Sequence, residues 1–351
     1  MNGEQSIGVK EIARKAGVSI ATVDRVLHNR SGVSEVTKKK ISEIIKKYNY
    51  QPNILARRLA SRKVLKFATL IPAVSKETDY WQAPLDGIEQ AEAEIKPFGI
   101  SFDKYFFDLN DKETFIAQSK KILKKQVDGV LFAPSFVEDA KEFALECEKR
   151  KIPYVFINSY VPGLNNLCYI GSELFASGYS IAHLVNYIIE ENQKAIIINI
   201  SKVADSVFHL EQKEEGFRSF FSDSNKKINI EKLEIRKTDY NSIKKELANA
   251  FKNNNVKVVF VTNSRVFYVA RFFEENNIKN VVLIGFDFID KNLKYLESGV
   301  IDFLISHKPQ EQAYRGIMAL YNKLVKNEEI EKTHYMSIDI LTKENYKFYK
   351  N

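Results

Sequence analysis

Residues 9–27, VKEIARKAGVSIATVDRVL, decide how the chain begins. Val9, Ile12, Ala13 and Ala16 recur at helical spacing, which predicts a short helix over 9–16. Gly17-Val18-Ser19 interrupts it. Gly supplies a left-handed turn position, and Ser19 is a good N-cap for a second helix over 20–28. That helix carries Val23, Val26 and Leu27 inward and leaves Ile20, Ala21, Thr22, Asp24, Arg25 and His28 outward. Helix, glycine turn and helix make a helix-turn-helix, and Ala13 is small enough to let the two helices approach closely. A third helix is expected over 35–48, capped by Ser34 and burying Val36, Ile41, Ile44, Ile45 and Tyr48. The lysines of 38–40 and 46–47 fall on its solvated side.

Charge separates this opening from the rest. Residues 1–63 hold 14 Lys/Arg against 5 Asp/Glu, a net of +9, and the other 288 residues hold 39 against 40. The whole excess of a chain with net charge +8 therefore sits in one small module that is too apolar for a solvated tail. A basic module on a neutral body points to nucleic acid at one end and a different role at the other. Within it, 51–63, QPNILARRLASRK, reads as a further helical element opened by Pro52. It is only about nine residues of helix, marginal alone in water, and so conditional on a partner helix and DNA.

From residue 64 the pattern changes. Apolar runs at 64–71, 128–134, 153–158, 195–200, 257–263, 281–287 and 301–306 read as strands. Helical stretches lie near 82–96, 112–125, 138–150, 174–190, 209–222, 241–253, 265–276 and 309–326. The alternation predicts parallel sheets with helices on both faces, and its length favours two similar lobes. In such sheets ligands bind beyond the carboxyl ends of the strands. Those ends carry Tyr80, Trp81 (the only Trp), Ser135, Asn158, Asn263, Asp287 and His307. Rings and hydrogen-bonding groups with few cations suit a neutral polyol or sugar. His183 and Tyr187, on one helix face with Leu184, read as core or dimer interface.

Several classes are excluded or unsupported. No GxGxxG or GxxxxGK[ST] occurs, no catalytic constellation stands out, and no spacing suits a metal, so no cofactor is expected. Cys147 and Cys168 form no CxxC pair. Cys147 follows Phe143 by one helical turn, which places both on the core side, and the two cysteines read as inert buried thiols in a reducing cytosol. No apolar run is long enough for a membrane span, and the N-terminus lacks the apolar region of a signal peptide. A cytoplasmic protein is expected.

The stretch from Val9 to Lys63 resembles the DNA-binding region of the LacI/GalR family of transcriptional repressors. The motifs AxxAGVSxxTVxRVL and YxPNxxARxL carry the likeness, without a gap over roughly 8–63. The resemblance implies that 20–28 is the recognition helix in the major groove. Ser19, Ile20, Ala21, Thr22, Arg25 and His28 would then contact bases or phosphates. It also implies that 51–63 is a hinge helix in the minor groove, with Leu59 as the apolar wedge beside Asn53, Ala56 and Arg57. Asp24 departs from the family's usual Ser. It is expected to turn away, cap an amide, or accept from a cytosine amino group.

The body more loosely resembles the type 1 periplasmic sugar-binding-protein fold over about 64–345. The resemblance implies an N-lobe of about 64–172 and 307–335 and a C-lobe of about 173–306 and 336–351. It places Tyr80, Trp81 and Asn158 on one wall of a cleft and Asn263 and Asp287 on the other, with His307 at a crossover. Glu211 stands where sugar binders often carry Arg, and Glu173 where Asp is usual. The expectation is an α/β protein with an all-α helix-turn-helix head over 1–50, a linker over 51–63 and a two-lobed body over 64–351. Its expected function is regulated DNA binding. A homodimer would sit on a pseudo-palindromic double-stranded operator and answer to a sugar-like small molecule. The alternatives are an architectural DNA-binding protein with a non-functional pocket, or a tethered sugar-acting enzyme.

Overall fold

A computed structural model describes residues 7–27, 30–48, 50, 64–75, 78–202, 208–252 and 255–351. The chain divides into two compact units, Met1–Lys63 and Val64–Asn351.

The head contains α1 (Val9–Ala16), α2 (Ile20–Leu27) and α3 (Glu35–Lys47). Gly17 has φ +70° and its amide closes the end of α1 on the carbonyls of Ala13 and Arg14. The Ser19 hydroxyl accepts from the Thr22 amide at 3.1 Å, and the Ser34 hydroxyl from the Thr37 amide at 3.3 Å. Each satisfies a donor that the first helical turn leaves open. Ile12, Ala13, Ala16, Val23 and Ile41 form the core, with Val26, Leu27, Ile44 and Ile45 packed around it. Val36 does not join them and is 81% exposed. It lies five residues before Ile41, about 140° around a helix of 3.6 residues per turn, so it faces water while Ile44 and Ile45 face the core.

The body holds two six-stranded sheets. The first has the order β11-β5-β4-β3-β1-β2. Its strands are β1 (Leu65–Pro72), β2 (Ile100–Phe107), β3 (Gly129–Phe132), β4 (Tyr154–Asn158), β5 (Cys168–Gly171) and β11 (Thr333–Tyr335). The second has the order β12-β10-β9-β8-β6-β7. It is built from β6 (Lys194–Ile200), β7 (Asn229–Ile235), β8 (Val256–Val261), β9 (Val282–Phe286), β10 (Phe303–Ser306) and β12 (Asp339–Leu341). Every pairing is parallel except β10 with β12. The chain thus passes between lobes three times, after Gly171, after Ser306 and after Tyr335.

Helices cover both faces of each sheet. They are α4 (Gln82–Ile95), α5 (Lys112–Lys124), α6 (Val137–Lys149), α7 (Leu174–Asn186), α8 (Phe208–Asp223), α9 (Tyr240–Ala250), α10 (Val266–Glu275), α11 (Asp290–Glu297) and α12 (Pro309–Tyr321). The central strands are mostly apolar because both of their faces are covered. Two apolar clusters flank the first sheet and two flank the second. Cys147 and Cys168 are both buried in the first lobe, where loss of solvation pushes each thiol up to about 12. No helix among the described residues is long and apolar enough to cross a membrane.

Helices α7 and α8 meet backbone to backbone. A Cβ on Gly178 would stand 1.8 Å from the Lys213 carbonyl oxygen, and one on Gly216 would stand 2.0 Å from that of Phe175. Only glycine at both positions permits this crossing, which carries Ser177 and Lys213 to the edge of the interlobe gap. On the outer side of the crossing His183 stacks on Tyr187 and Phe220, and Tyr187 is 77% exposed. The core reading of His183 and Tyr187 is therefore wrong: their turn of α7 faces outward.

Candidate functional site

The carboxyl ends of β1, β3, β4, β6, β8, β9 and β10 converge on one cavity between the lobes. Tyr80, Trp81, Ser135, Asn158, Asn263, Asp287 and His307 all line it. Its volume is about 100 Å³, room for about three waters at liquid density. A cavity this small is far below the size of a dinucleotide and suits only a small molecule, with the lobes moving to admit anything larger.

Two lining residues hold unusual backbones. Asn158 and Asp287 have φ of +70° and +77°. This left-handed region is sparsely used outside glycine, though Asn and Asp tolerate it best. At Asn158 the turn sends the amide nitrogen to the Tyr80 hydroxyl at 2.5 Å, while its backbone N–H donates to Gln312 Oε1 at 3.1 Å. At Asp287 the backbone is pinned by its N–H to the Ile305 carbonyl at 2.8 Å and by Asn292 Nδ2 to its carbonyl at 3.0 Å.

The aromatic wall comes from the start of α4. Tyr80 and Trp81 meet edge to face at 5.1 Å between centroids. Trp81 is also part of the first lobe's core and only 4% exposed. Burial, with the Asp287 carboxylate next in weight, holds the Tyr80 phenol well above its ordinary range. His307 is buried against Phe286 and lies 3.2 Å from the Ser177 hydroxyl. Burial and then the Lys213 charge hold His307 well below the usual range, so its ring is neutral near pH 7.

The expectation of few cations does not hold. Lys213 is buried in the cavity wall, its Nζ 3.5 Å from the Phe286 ring centroid and donating to the Thr262 carbonyl at 3.0 Å. Arg265 also lines the cavity and donates to the Ile200 carbonyl at 3.2 Å. Lys213 and Asp287 form an electrostatic pair. Burial pushes the lysine down and the carboxyl up, and each is held back by the other's opposite charge. Glu211 is exposed, while Lys213, two residues on, enters the site. The signal was present in Leu210, Lys213, Glu214 and Phe217, all buried at helical spacing, which makes the lysine an inward position. Glu173 acts locally, its carboxylate capping α7 at the Ala176 amide.

The lobes touch across the cavity. Thr78 Oγ1 in the first lobe and Ser264 Oγ in the second lie 3.1 Å apart, both buried. Tyr160 and Phe208 meet edge to face at 6.1 Å. These contacts bridge the two lobes. No cluster of His, Cys, Asp and Glu that could hold a metal occurs among the described residues.

In the head, Ser19 and Thr22 are tied together at the entry to α2, their hydroxyls 2.9 Å apart. Ile20, Ala21 and Arg25 are exposed on that helix. The Asp24 carboxylate pairs with Arg30 at 3.1 Å. His28, Asn53, Ala56 and Leu59 lie outside the described residues.

Comparison with known proteins agrees with both units. The model of the periplasmic binding protein domain matches residues 67–328, and that of bacterial regulatory proteins of the lacI family matches residues 8–53. Catabolite control protein A of Staphylococcus aureus is 35% identical over 138 residues, which is 39% of this chain and 40% of that relative's length. The crystal structure of a putative LacI transcriptional regulator from Bacteroides fragilis superposes with a TM-score of 0.74 at 27% identity, covering 82% of this chain and 100% of that one. GanP, a glucose-galactose binding protein from Geobacillus stearothermophilus, shares the fold with a TM-score of 0.70 at 17% identity, over 81% of this chain and 99% of its own. The chain belongs to the periplasmic binding protein domain family and carries a lacI-family regulatory module at its head.

Proposed function

We propose that this protein is a transcriptional regulator, in family terms a repressor, whose hold on DNA is set by a sugar-like small molecule between the lobes of its body. The observation that carries the reading is the conjunction of a basic helix-turn-helix head with an interlobe cavity lined by polar and aromatic side chains at the strand ends. In the head, Ser19, Ile20, Ala21, Thr22 and Arg25 are the contacts to double-stranded DNA, extended by His28 and by Asn53, Ala56 and Leu59. A homodimer of such heads fits a pseudo-palindromic operator. The protein would work in the cytoplasm, and no part of the proposal requires an enzymatic step.

In the body, Trp81 and Tyr80 offer ring faces to C–H surfaces, and Asn158, Asn263, Ser135 and His307 offer neutral polar groups. Lys213 and Asp287 both line the cavity and feel each other's charge, so the wall offers a donor and an acceptor to the hydroxyls of a neutral ring. The fold shared with a glucose-galactose binding protein supports the same ligand class. Regulation needs only that the ligand favour the closed form over the open one, because an effector shifts an equilibrium by no more than its differential affinity.

Two measurements test the reading together. A thermal-shift screen of the full chain against neutral monosaccharides and polyols should find a compound that raises the melting temperature and changes Trp81 fluorescence. A gel shift with duplexes enriched from a random pool should then respond to that compound. Binding of DNA with no response to any ligand class would defeat the sensing half, and no binding of DNA would defeat the other.

A further inference from the structure

Asp24 places a carboxylate on the helix face that the head turns to DNA. It stands three and four residues after Ala21 and Ile20, so all three share one side of α2. An isolated carboxylate there repels every nearby phosphate. It is not isolated: Arg30 Nη1 lies 3.1 Å from Asp24 Oδ2. The Arg30 backbone is tied to the same helix, its N–H donating to the Arg25 carbonyl at 2.8 Å. That position, at the C-terminal end of α2, is also where the helix dipole favours a cation.

The pair does little for stability. Its side chains are 60% and 46% exposed, and ion pairs this open contribute close to nothing after screening. Holding a long arginine in one geometry without a stability gain points to a role outside the folded head. A guanidinium has five N–H donors in a planar fork, and one carboxylate contact leaves the others directed elsewhere.

We propose that Arg30 is a DNA-backbone contact of the head and that Asp24 is its positioning residue, holding the guanidinium beside the reading face so that it meets a phosphate. The sign of the effect of Asp24 is then the reverse of simple electrostatics. Removing a carboxylate beside DNA ordinarily tightens binding; here it loosens binding, because Arg30 loses its anchor. The inference rests on the reading of the head as a DNA-binding module.

The test uses the full chain and a random-sequence duplex pool. Wild type is first used to enrich a binding duplex, and failure to bind any duplex at low salt would sink the reading of the head itself. On the enriched duplex, Arg30→Ala should weaken binding tenfold or more. It should also make the plot of log affinity against log salt shallower by about 0.9, the loss of one phosphate contact. Asp24→Ser should weaken binding about threefold to tenfold, with the melting temperature unchanged. In the Arg30→Ala background, Asp24→Ser should instead tighten binding, because a carboxylate near phosphate that no longer orients Arg30 is only repulsive. Tighter binding by Asp24→Ser in the wild-type background, or an unchanged salt slope in Arg30→Ala, overturns the proposal. So does a changed base preference at one position in duplexes enriched by Asp24→Ser, which would make the carboxylate a base reader.

Discussion

On the proposed reading, the head and the body bind by opposite means. The head offers an exposed helix face with cations around it, held by a core of five buried residues. The body offers a cavity whose wall holds the opposite charges of Lys213 and Asp287 within reach of each other's field, held by sheets covered on both faces. An exposed cationic surface gains its energy from released counterions and is sensitive to salt. A buried pair is screened far less and is sensitive to the loss of either partner. The largest expected effect follows directly. With about 6–10 phosphate contacts, DNA affinity should fall about 10³–10⁵-fold between 50 and 200 mM salt. Sugar affinity measured by calorimetry over the same range should change little. A flat DNA response would erase the contrast.

Next in size is the buried pair. Asp287→Ala leaves Lys213 buried with its carbonyl and ring contacts but without the opposite charge of Asp287, so body stability should fall. Thermal unfolding of the full chain should show it, with Lys213→Met/Asp287→Asn recovering most of the loss because neither charge remains. Sugar affinity should fall at least tenfold in Asp287→Ala, since each unpaired ligand hydroxyl in a closed cleft costs about 1–3 kcal/mol. The pH dependence has a definite sign. Burial raises the Asp287 carboxyl, so a ligand hydroxyl donating to its ionised form loses that acceptor as pH falls. The loss should begin above the ordinary carboxylate range, and calorimetry from pH 8 downward would detect it. Affinity that rises on acidification would contradict the assignment of Asp287 as acceptor.

The same contrast explains what could be read in advance. The head's helices were legible to within a residue, because a cap, a glycine turn and a small core leave little choice. In the body the seven runs read as strands are central or buried strands, apolar on both faces. The strands missed are mostly edges: β2, β7, β11 and β12 each end a sheet. Edge strands carry polar residues on a half-exposed face, as NIEKLEI does in β7, and so lose the apolar signal. Helix α11, DKNLKYLE, was missed for a related reason: it is short and polar, and buries only Asn292, Tyr295 and Leu296. The cleft walls followed from strand ends, a topological rule that needs no side-chain detail. Lys213 did not, because it lies mid-helix and reaches the cavity only through the glycine crossing of α7 and α8.

Smaller effects divide the two regions residue by residue. Arg25→Ala should cost about 1–3 kcal/mol in affinity for an enriched duplex, with ligand-induced thermal shifts of the body unchanged. Gly178→Ala should act in the other direction. Its new Cβ would meet the Lys213 carbonyl oxygen and force α7 and α8 apart, at a cost of about 1–3 kcal/mol in stability. Sugar affinity should fall with it as Lys213 shifts, while binding to a random duplex without ligand stays at the wild-type level. A Gly178→Ala protein with normal sugar affinity would show that Lys213 has no part in the ligand contact.

The smallest effect tests whether closure belongs to the body alone. Thr78 and Ser264 form a hydroxyl pair between the lobes, and Thr78 Oγ1 also accepts from the Tyr80 amide at 3.2 Å. Ser264→Ala removes only the bridge, whereas Thr78→Val removes the bridge and frees the Tyr80 backbone. A neutral hydrogen bond contributes about 0.5–1.5 kcal/mol net, which is about a 2- to 12-fold shift in a two-state equilibrium. If the ligand binds the closed form, apparent affinity follows the population of that form, so Ser264→Ala should weaken sugar binding by that factor. Thr78→Val should weaken it further, because Tyr80 carries part of the aromatic wall. Binding of a random duplex in the absence of sugar should be the same for both variants and the wild type. Calorimetry with a sugar found by thermal-shift screening decides the matter: equal affinities for wild type and Ser264→Ala would mean that the hydroxyl bridge follows closure and does not drive it.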